Sequence, residues 1–422
     1  MYELTTLDNG LRILTVRMSH LHSVSLGFFL GVGSRCESEE LAGASHFIEH
    51  MVFKGTARRP TAREIAEAIE GRGGIFNANT GLETTLFWAK VAAPHLWEAL
   101  DVLSDMLLHA TFDPEEMEKE RVVIGEEINS TLDAPDSLSQ ILVSRLQWPD
   151  HPLGRDIVGT HQSVAALGRE ALLAYKADHY CPGETVLGLA GLVDHAQVVA
   201  WAQAHLSEWN PGPPVRWEPA PPDHRGPCLH VEYRDTEQAH LCLSFTGLSR
   251  HDPRRFGVRL LNVILGEGMR SRLFQQVRER LGLAYEVESY VSTMQDTGAI
   301  GVYAGVSAHR VQEALCAILA ELDRMRQEPV SEEELEKTKE SMRGRLVLSL
   351  EDSFTVASWY ARQQLLGPEV LRPEEMMARF EAVQASDIQS LAQNLFREDR
   401  LNLAIVGPLA QDTRSLESMI HL

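Results

Sequence analysis

The chain repeats itself, and the repeat limits what it can fold into. Leu229-His-Val-Glu-Tyr233 followed by Ala239 to Phe245 matches the pair of strand-like segments at the start of the chain. The stretch Ala304 to Leu322 resembles Ala89 to Leu107, with Glu-Ala-Leu in register at 98–100 and 313–315, an offset of 215. Ser331-Glu-Glu-Glu334 opens a helix much as Asp113-Pro-Glu-Glu116 does. A period of this length is too long for a solenoid and implies two similar domains. Seven of the 19 Pro fall within residues 211–227, which reads as a semi-extended linker. The expected domains are therefore 1–210 and 228–422. Strands paired in sequence, with long helices between them, suggest α+β domains, each a largely antiparallel sheet with helices on one face.

The repeat also acts as an internal control on one short motif. His46-Phe-Ile-Glu-His50 places two imidazoles four residues apart, one above the other on a helix face. Two such groups can supply neighbouring ligands to one zinc ion at about 2.0–2.1 Å each. Glu49 shares that face and is placed to take a proton from an attacking water. The order His-x-x-Glu-His is the inverzincin signature. In a chain with 17 His the pattern alone is weak, and Phe47, Ile48, Met51 and Val52 suit an ordinary core helix. At the repeat offset, however, His46, Glu49 and His50 become Leu261, Ile264 and Leu265. The fold does not require the polar triplet, and burying it without a ligand costs desolvation energy. That favours a metal site.

A catalytic zinc keeps three protein ligands and one open position. The helix expected from Pro114 to about Asp133 carries Glu116, Glu118, Glu120, Glu126 and Glu127. Glu120 and Glu127 are two turns apart and can face the same neighbour, while Met117, Ile124 and Ile128 form a docking stripe. On this pattern Glu126 and Glu127 are equally eligible as the third ligand.

The segment His46 to Thr56 resembles the active-site helix of the pitrilysin (insulinase) type zinc peptidases. So do Glu120-Arg-Val-Val-Ile-Gly-Glu-Glu-Ile128, Gly73 to Thr80, His151-Pro-Leu-Gly-Arg155 and Pro182 to Gly191 resemble other segments of that family. The resemblance implies Glu127 as third ligand, with 76 residues between it and His50, and Glu120 as a supporting carboxylate. Ser271 to Tyr285 resembles the family's Arg/Tyr motif, which implies that Arg278 grips substrate backbone and Tyr285 stabilises the oxyanion. Asn77 and Ala78 match the edge strand on which the family lays its peptide substrates. The implied protein is a zinc endopeptidase or oligopeptidase with one Zn2+ per chain and Glu49 as general base. Because one chain carries both motifs, the resemblance further implies a homodimer closing as a clamshell around a chamber. The alternatives are a non-catalytic core subunit of a larger complex and a partner-dependent processing peptidase. The short loop Leu265 to Arg270 speaks against presequence processing.

Composition bounds the partners. A balance of 39 basic and 60 acidic residues, net −21, argues against nucleic acid or an anionic membrane surface and permits basic peptides. No apolar run reaches the ~20 residues that cross a bilayer, and no secretory signal is expected from Met1 to Ile13. The five Cys are scattered without a Cys-x-x-Cys, which suits a reducing compartment and leaves metal binding to His and carboxylate. The expected location is the cytoplasm.

Overall fold

The protein is described by a computed structural model covering residues 2–222, 226–409 and 414–420. Residues 223–225 of the Pro-rich linker lie outside the described residues.

The chain packs as two compact units. In the first, strands β1 (Tyr2–Thr6), β2 (Arg12–Arg17), β3 (Ser23–Leu30), β4 (Ile75–Thr80), β5 (Thr85–Ala92) and β6 (Thr185–Gly191) form one sheet in the order β1-β2-β6-β3-β5-β4. In the second, β7 (Cys228–Tyr233), β8 (Gln238–Thr246), β9 (Ala284–Thr293), β10 (Gly298–Ser307) and β11 (Asn402–Gly407) take the order β7-β11-β8-β10-β9. With β1 set aside the two orders are the same. Each has one parallel pair, β2 with β6 and β7 with β11, and antiparallel pairs elsewhere. The duplication read from the sequence is thus a duplication of topology. The α+β class with two domains of the same build holds.

The units do not follow the continuous split of 1–210 and 228–422. Unit 1 is Met1–Ile128, Asp156–Glu218 and Leu346–Leu371, and unit 2 is Asn129–Arg155, Pro219–Arg345 and Arg372–Leu422. The halves exchange a helix. Pro135–Gln147, from the first half, packs on β8 and β11 of unit 2, and Ser353–Leu366, from the second half, packs on β6, β3 and β2 of unit 1. In unit 1 this also corrects the expectation of helices on one face only. Every residue of β6, and all but the first of β3, is buried, as a strand covered on both faces must be. Val356, Ala357, Tyr360 and Ala361 close over Leu14, Phe29, Leu86, Val186 and Ala190. Fully burying such a side chain stabilises by roughly 1.5–3 kcal/mol. A glycine makes the approach possible: a Cβ on Gly188 would sit 2.8 Å from Ala361 Cβ.

Four helices of the first half complete the part of unit 1 that carries the His-x-x-Glu-His motif: α1 (Ala44–Val52), α2 (Ala62–Glu70), α3 (Leu96–His109) and α4 (Pro114–Asp133). Thr61 closes the expected capping box with Glu64 at the start of α2. The chain turns away after Asp133, where Ala134-Pro135 ends α4.

Candidate metal centre

Helix α1 is amphipathic in the expected sense. Phe47, Ile48, Met51 and Val52 are fully buried, while His46, Glu49 and His50 are half-buried on the other side. Its start is fixed by a device not anticipated from the sequence. The buried Glu37 carboxylate accepts from Gly43 N at 2.8 Å and Ser45 N at 2.7 Å. An acidic group is favourable at that end of a helix. Gly43 takes φ +93°, a left-handed conformation that glycine adopts without strain. Ser45 is further tied to Tyr175, Oγ to hydroxyl at 3.1 Å.

Helix α4 docks through Met117, Ile124 and Ile128, the stripe read from the sequence, and carries Glu120 buried among them. The choice between the two adjacent carboxylates is resolved: Glu126 is exposed, and Glu127 turns toward the histidines. Glu127 Oε2 lies 3.6 Å from His46 Nε2 and 3.5 Å from His50 Nε2. These separations are too long for hydrogen bonds. A tetrahedron with bonds of about 2.0–2.1 Å has edges of about 3.3 Å, so they are close to what two neighbouring ligands of one zinc require. The three donor atoms all lie within 4.8 Å of one another, and the histidine rings are 4.6 Å apart between centroids. Burial, with His50 alongside, pushes the His46 imidazole down to about 4, which favours the neutral form a ligand must have. The donor set and its spacing therefore fit zinc.

The two histidines are held differently. His50 Nδ1 donates to Glu120 Oε2 at 2.9 Å, and the other oxygen of Glu120 pairs with Lys54 Nζ at 2.5 Å. The proton is thereby kept on Nδ1, and Nε2 presents its lone pair to the site. His46 Nδ1 is buried with no hydrogen-bond partner among the described residues.

Glu49 points the same way as the histidines but is not one of the cluster's donors. Its Oε2 accepts from Thr80 Oγ1 at 2.5 Å. Burial raises its carboxyl above the ordinary range, partly offset by hydrogen bonds from Thr80 and by His50. Thr80 ends β4, the outermost strand of the sheet, which pairs on one side only. Asn77 and Ala78 lie on this strand, Asn77 exposed and Ala78 half-buried, with Asn77 Oδ1 accepting from Ala78 N.

Arg278 and Tyr285 belong to unit 2 and are not part of the cluster. They are brought together with each other: the Arg278 guanidinium lies 5.2 Å from the Tyr285 ring centroid and 4.7 Å from that of Phe274. Tyr285 is the second residue of β9 and is 76% exposed. In the second copy Leu261, Ile264 and Leu265 are buried in the helix Arg255–Leu265, which occupies the place of α1 between β8 and β9.

Sequence reading missed Lys54, Thr80 and Glu37 as parts of the site. Lys54 lies one helical turn beyond His50, which is a usable signal once the helix is recognised. Thr80 and Glu37 act across loops, and their spacing from the motif carries no local signature.

The two-domain α+β fold thus carries a His, His, Glu cluster beside the half-buried Glu49 carboxylate. Comparison with known proteins identifies the family. Residues 12–161 match the model for insulinase, peptidase family M16, and residues 166–342 match that for the peptidase M16 inactive domain. The chain is 38% identical to an uncharacterized zinc protease, YmxG, of Bacillus subtilis, over 96% of this chain and 97% of the relative. It is 36% identical to one from Streptomyces coelicolor, over 96% and 89%. The chain belongs to the insulinase family of peptidases, M16. Among solved structures, a protease from Helicobacter pylori superimposes with a TM-score of 0.90 at 21% identity, covering 97% of this chain and 99% of that one. A chain of complex III from Candida albicans gives 0.85 at 20%, covering all of both. At those identities the likeness is one of fold. Among the described residues, no helix is long and apolar enough to cross a membrane.

Proposed function

We propose that the protein is a zinc-dependent endopeptidase or oligopeptidase acting on peptides and unfolded segments. The observation that carries this reading is the spacing of 3.5–3.6 Å from Glu127 Oε2 to the two histidine Nε2 atoms, beside a carboxylate that is not itself a donor. His46, His50 and Glu127 would hold one Zn2+, which supplies Lewis acidity toward an amide carbonyl and water. Glu49 takes the proton of the attacking water on its carboxylate and hands it to the leaving amine. Its raised affinity for a proton suits both halves of that transfer. Glu120 holds His50 in the ligating tautomer. Asn77 and Ala78, on the free edge of the sheet, receive the peptide as an added strand. Arg278 grips substrate backbone and Tyr285 donates to the developing oxyanion, a type of contact that contributes roughly 10²–10³ in rate. Since one chain carries both motifs, the active form is a homodimer enclosing a chamber, located in the cytoplasm.

The test is metal content and quenched-peptide hydrolysis on the purified chain, wild type beside Glu49→Gln. One zinc per chain in both, with hydrolysis in wild type only, is the expected result. Zinc without hydrolysis in wild type would point to a structural or partner-dependent role. A chain that binds no zinc would overturn the reading.

A further inference from the structure

We propose that Thr80 is a positioning residue that fastens Glu49 to the edge strand, so that a peptide docking on β4 acts on the orientation of the base through Thr80. This rests on the peptidase reading above. Thr80 is the last residue of β4 and is 8% exposed. Its hydroxyl donates to Glu49 Oε2 at 2.5 Å. A glutamate side chain has three rotatable bonds and is costly to immobilise. A short hydrogen bond to the end of the side chain limits its rotation.

The position of Thr80 along the strand gives this clamp a use. Side chains alternate, so Phe76, Ala78 and Thr80 share one face of β4, and Thr80 stands one strand repeat, roughly 6.6 Å, beyond Ala78. The same face is tied to the metal helix at its other end, where Phe76 packs on Phe53 with ring centroids 5.4 Å apart. The strand offered to a substrate is therefore fastened to the metal helix and its exit at two points, and one of them is the base itself. An edge strand held by β5 alone gains a second set of backbone partners when a peptide adds to it. Any shift or stiffening of Ala78 to Thr80 is passed to Glu49 by the Thr80 hydroxyl contact.

Threonine to valine keeps the shape and removes the donor. In Thr80→Val, kcat should fall about ten- to a hundredfold, as expected of a misplaced catalytic group, with KM within about twofold of wild type. Thr80→Ser, which restores the hydroxyl, should recover kcat to within about threefold. Zinc affinity, measured by chelator competition, should be the same in all three proteins, which separates loss of base orientation from damage to the metal ligands. A Thr80→Val protein with wild-type kcat, a loss carried by KM, or a serine variant as impaired as the valine would overturn the proposal. If the wild-type chain cleaves no peptide, the peptidase reading fails by itself. The clamp is then decided by a thermodynamic cycle of Thr80→Val, Glu49→Gln and the double variant in urea unfolding. A coupling of about tenfold in the unfolding constant supports it and one below about twofold overturns it.

Discussion

Glu120→Gln tests the support of the metal site with the smallest change of shape. The wild-type carboxylate is 5% exposed and serves two donors, His50 Nδ1 at 2.9 Å and Lys54 Nζ at 2.5 Å. A glutamine has one carbonyl oxygen, so it can satisfy one of the two, and its own NH2 must face the other donor. Either His50 loses the bond that fixes its tautomer, or Lys54 is left as an unpaired ammonium near the metal, where it repels a cation. Both outcomes weaken binding. Loss of such a support costs about 10- to 100-fold in metal affinity, roughly 1.4–2.8 kcal/mol. The assay is competition for zinc against a chelator of known affinity, which needs no substrate and no assumption about catalysis. Unfolding of the metal-free proteins, run alongside, shows whether the fold is intact. A zinc affinity within threefold of wild type, on a protein that is folded, would refute the argument that Glu120 holds His50 for the metal.

The internal repeat and the exchanged helix lead to two further expected outcomes. The variant His46→Leu with His50→Leu copies Leu261 and Leu265 of the second domain, so it should bind no zinc yet unfold, metal-free, at or above the wild-type temperature; a chain that fails to fold would contradict the view that the polar pair serves only the metal. Gly188→Val places atoms where Ala361 Cβ lies 2.8 Å from an ideal Cβ, so it should destabilise unit 1 by about 1–3 kcal/mol, and a change below about 0.5 kcal/mol in denaturant unfolding would mean that the helix Ser353–Leu366 does not cover this sheet.

Much of the fold and site was legible because it is written in local periodicity. The four-residue spacing of His46 and His50 and the seven-residue spacing of Glu120 and Glu127 each commit side chains to one helix face. The apolar residues on the other faces, Phe47 and Ile48 on α1 and Ile124 and Ile128 on α4, say how those helices dock. Thr61 with Glu64 and Asp113 with Pro114 mark helix starts by chemistry that acts over three residues. The repeat added a comparison that a single domain could not have provided.

What periodicity cannot say is which apolar face meets which. The helices Pro135–Gln147 and Ser353–Leu366 have faces suited to a sheet, but nothing along the chain states that each covers the sheet of the other half. The choice of Glu127 over Glu126 was also beyond the pattern, because neighbours on a helix differ by about 100° and only the packed orientation of α4 decides which one meets the histidines. Thr80 on Glu49, Lys54 on Glu120 and Glu37 on the start of α1 are contacts of the same kind, set by where strands, loops and helix ends meet in space. Local periodicity and the repeat specify a duplicated α+β chain with a His-x-x-Glu-His helix in one copy. Which carboxylate completes the cluster, what orients His50, and which half of the chain covers each sheet are settled by packing between segments distant along the chain.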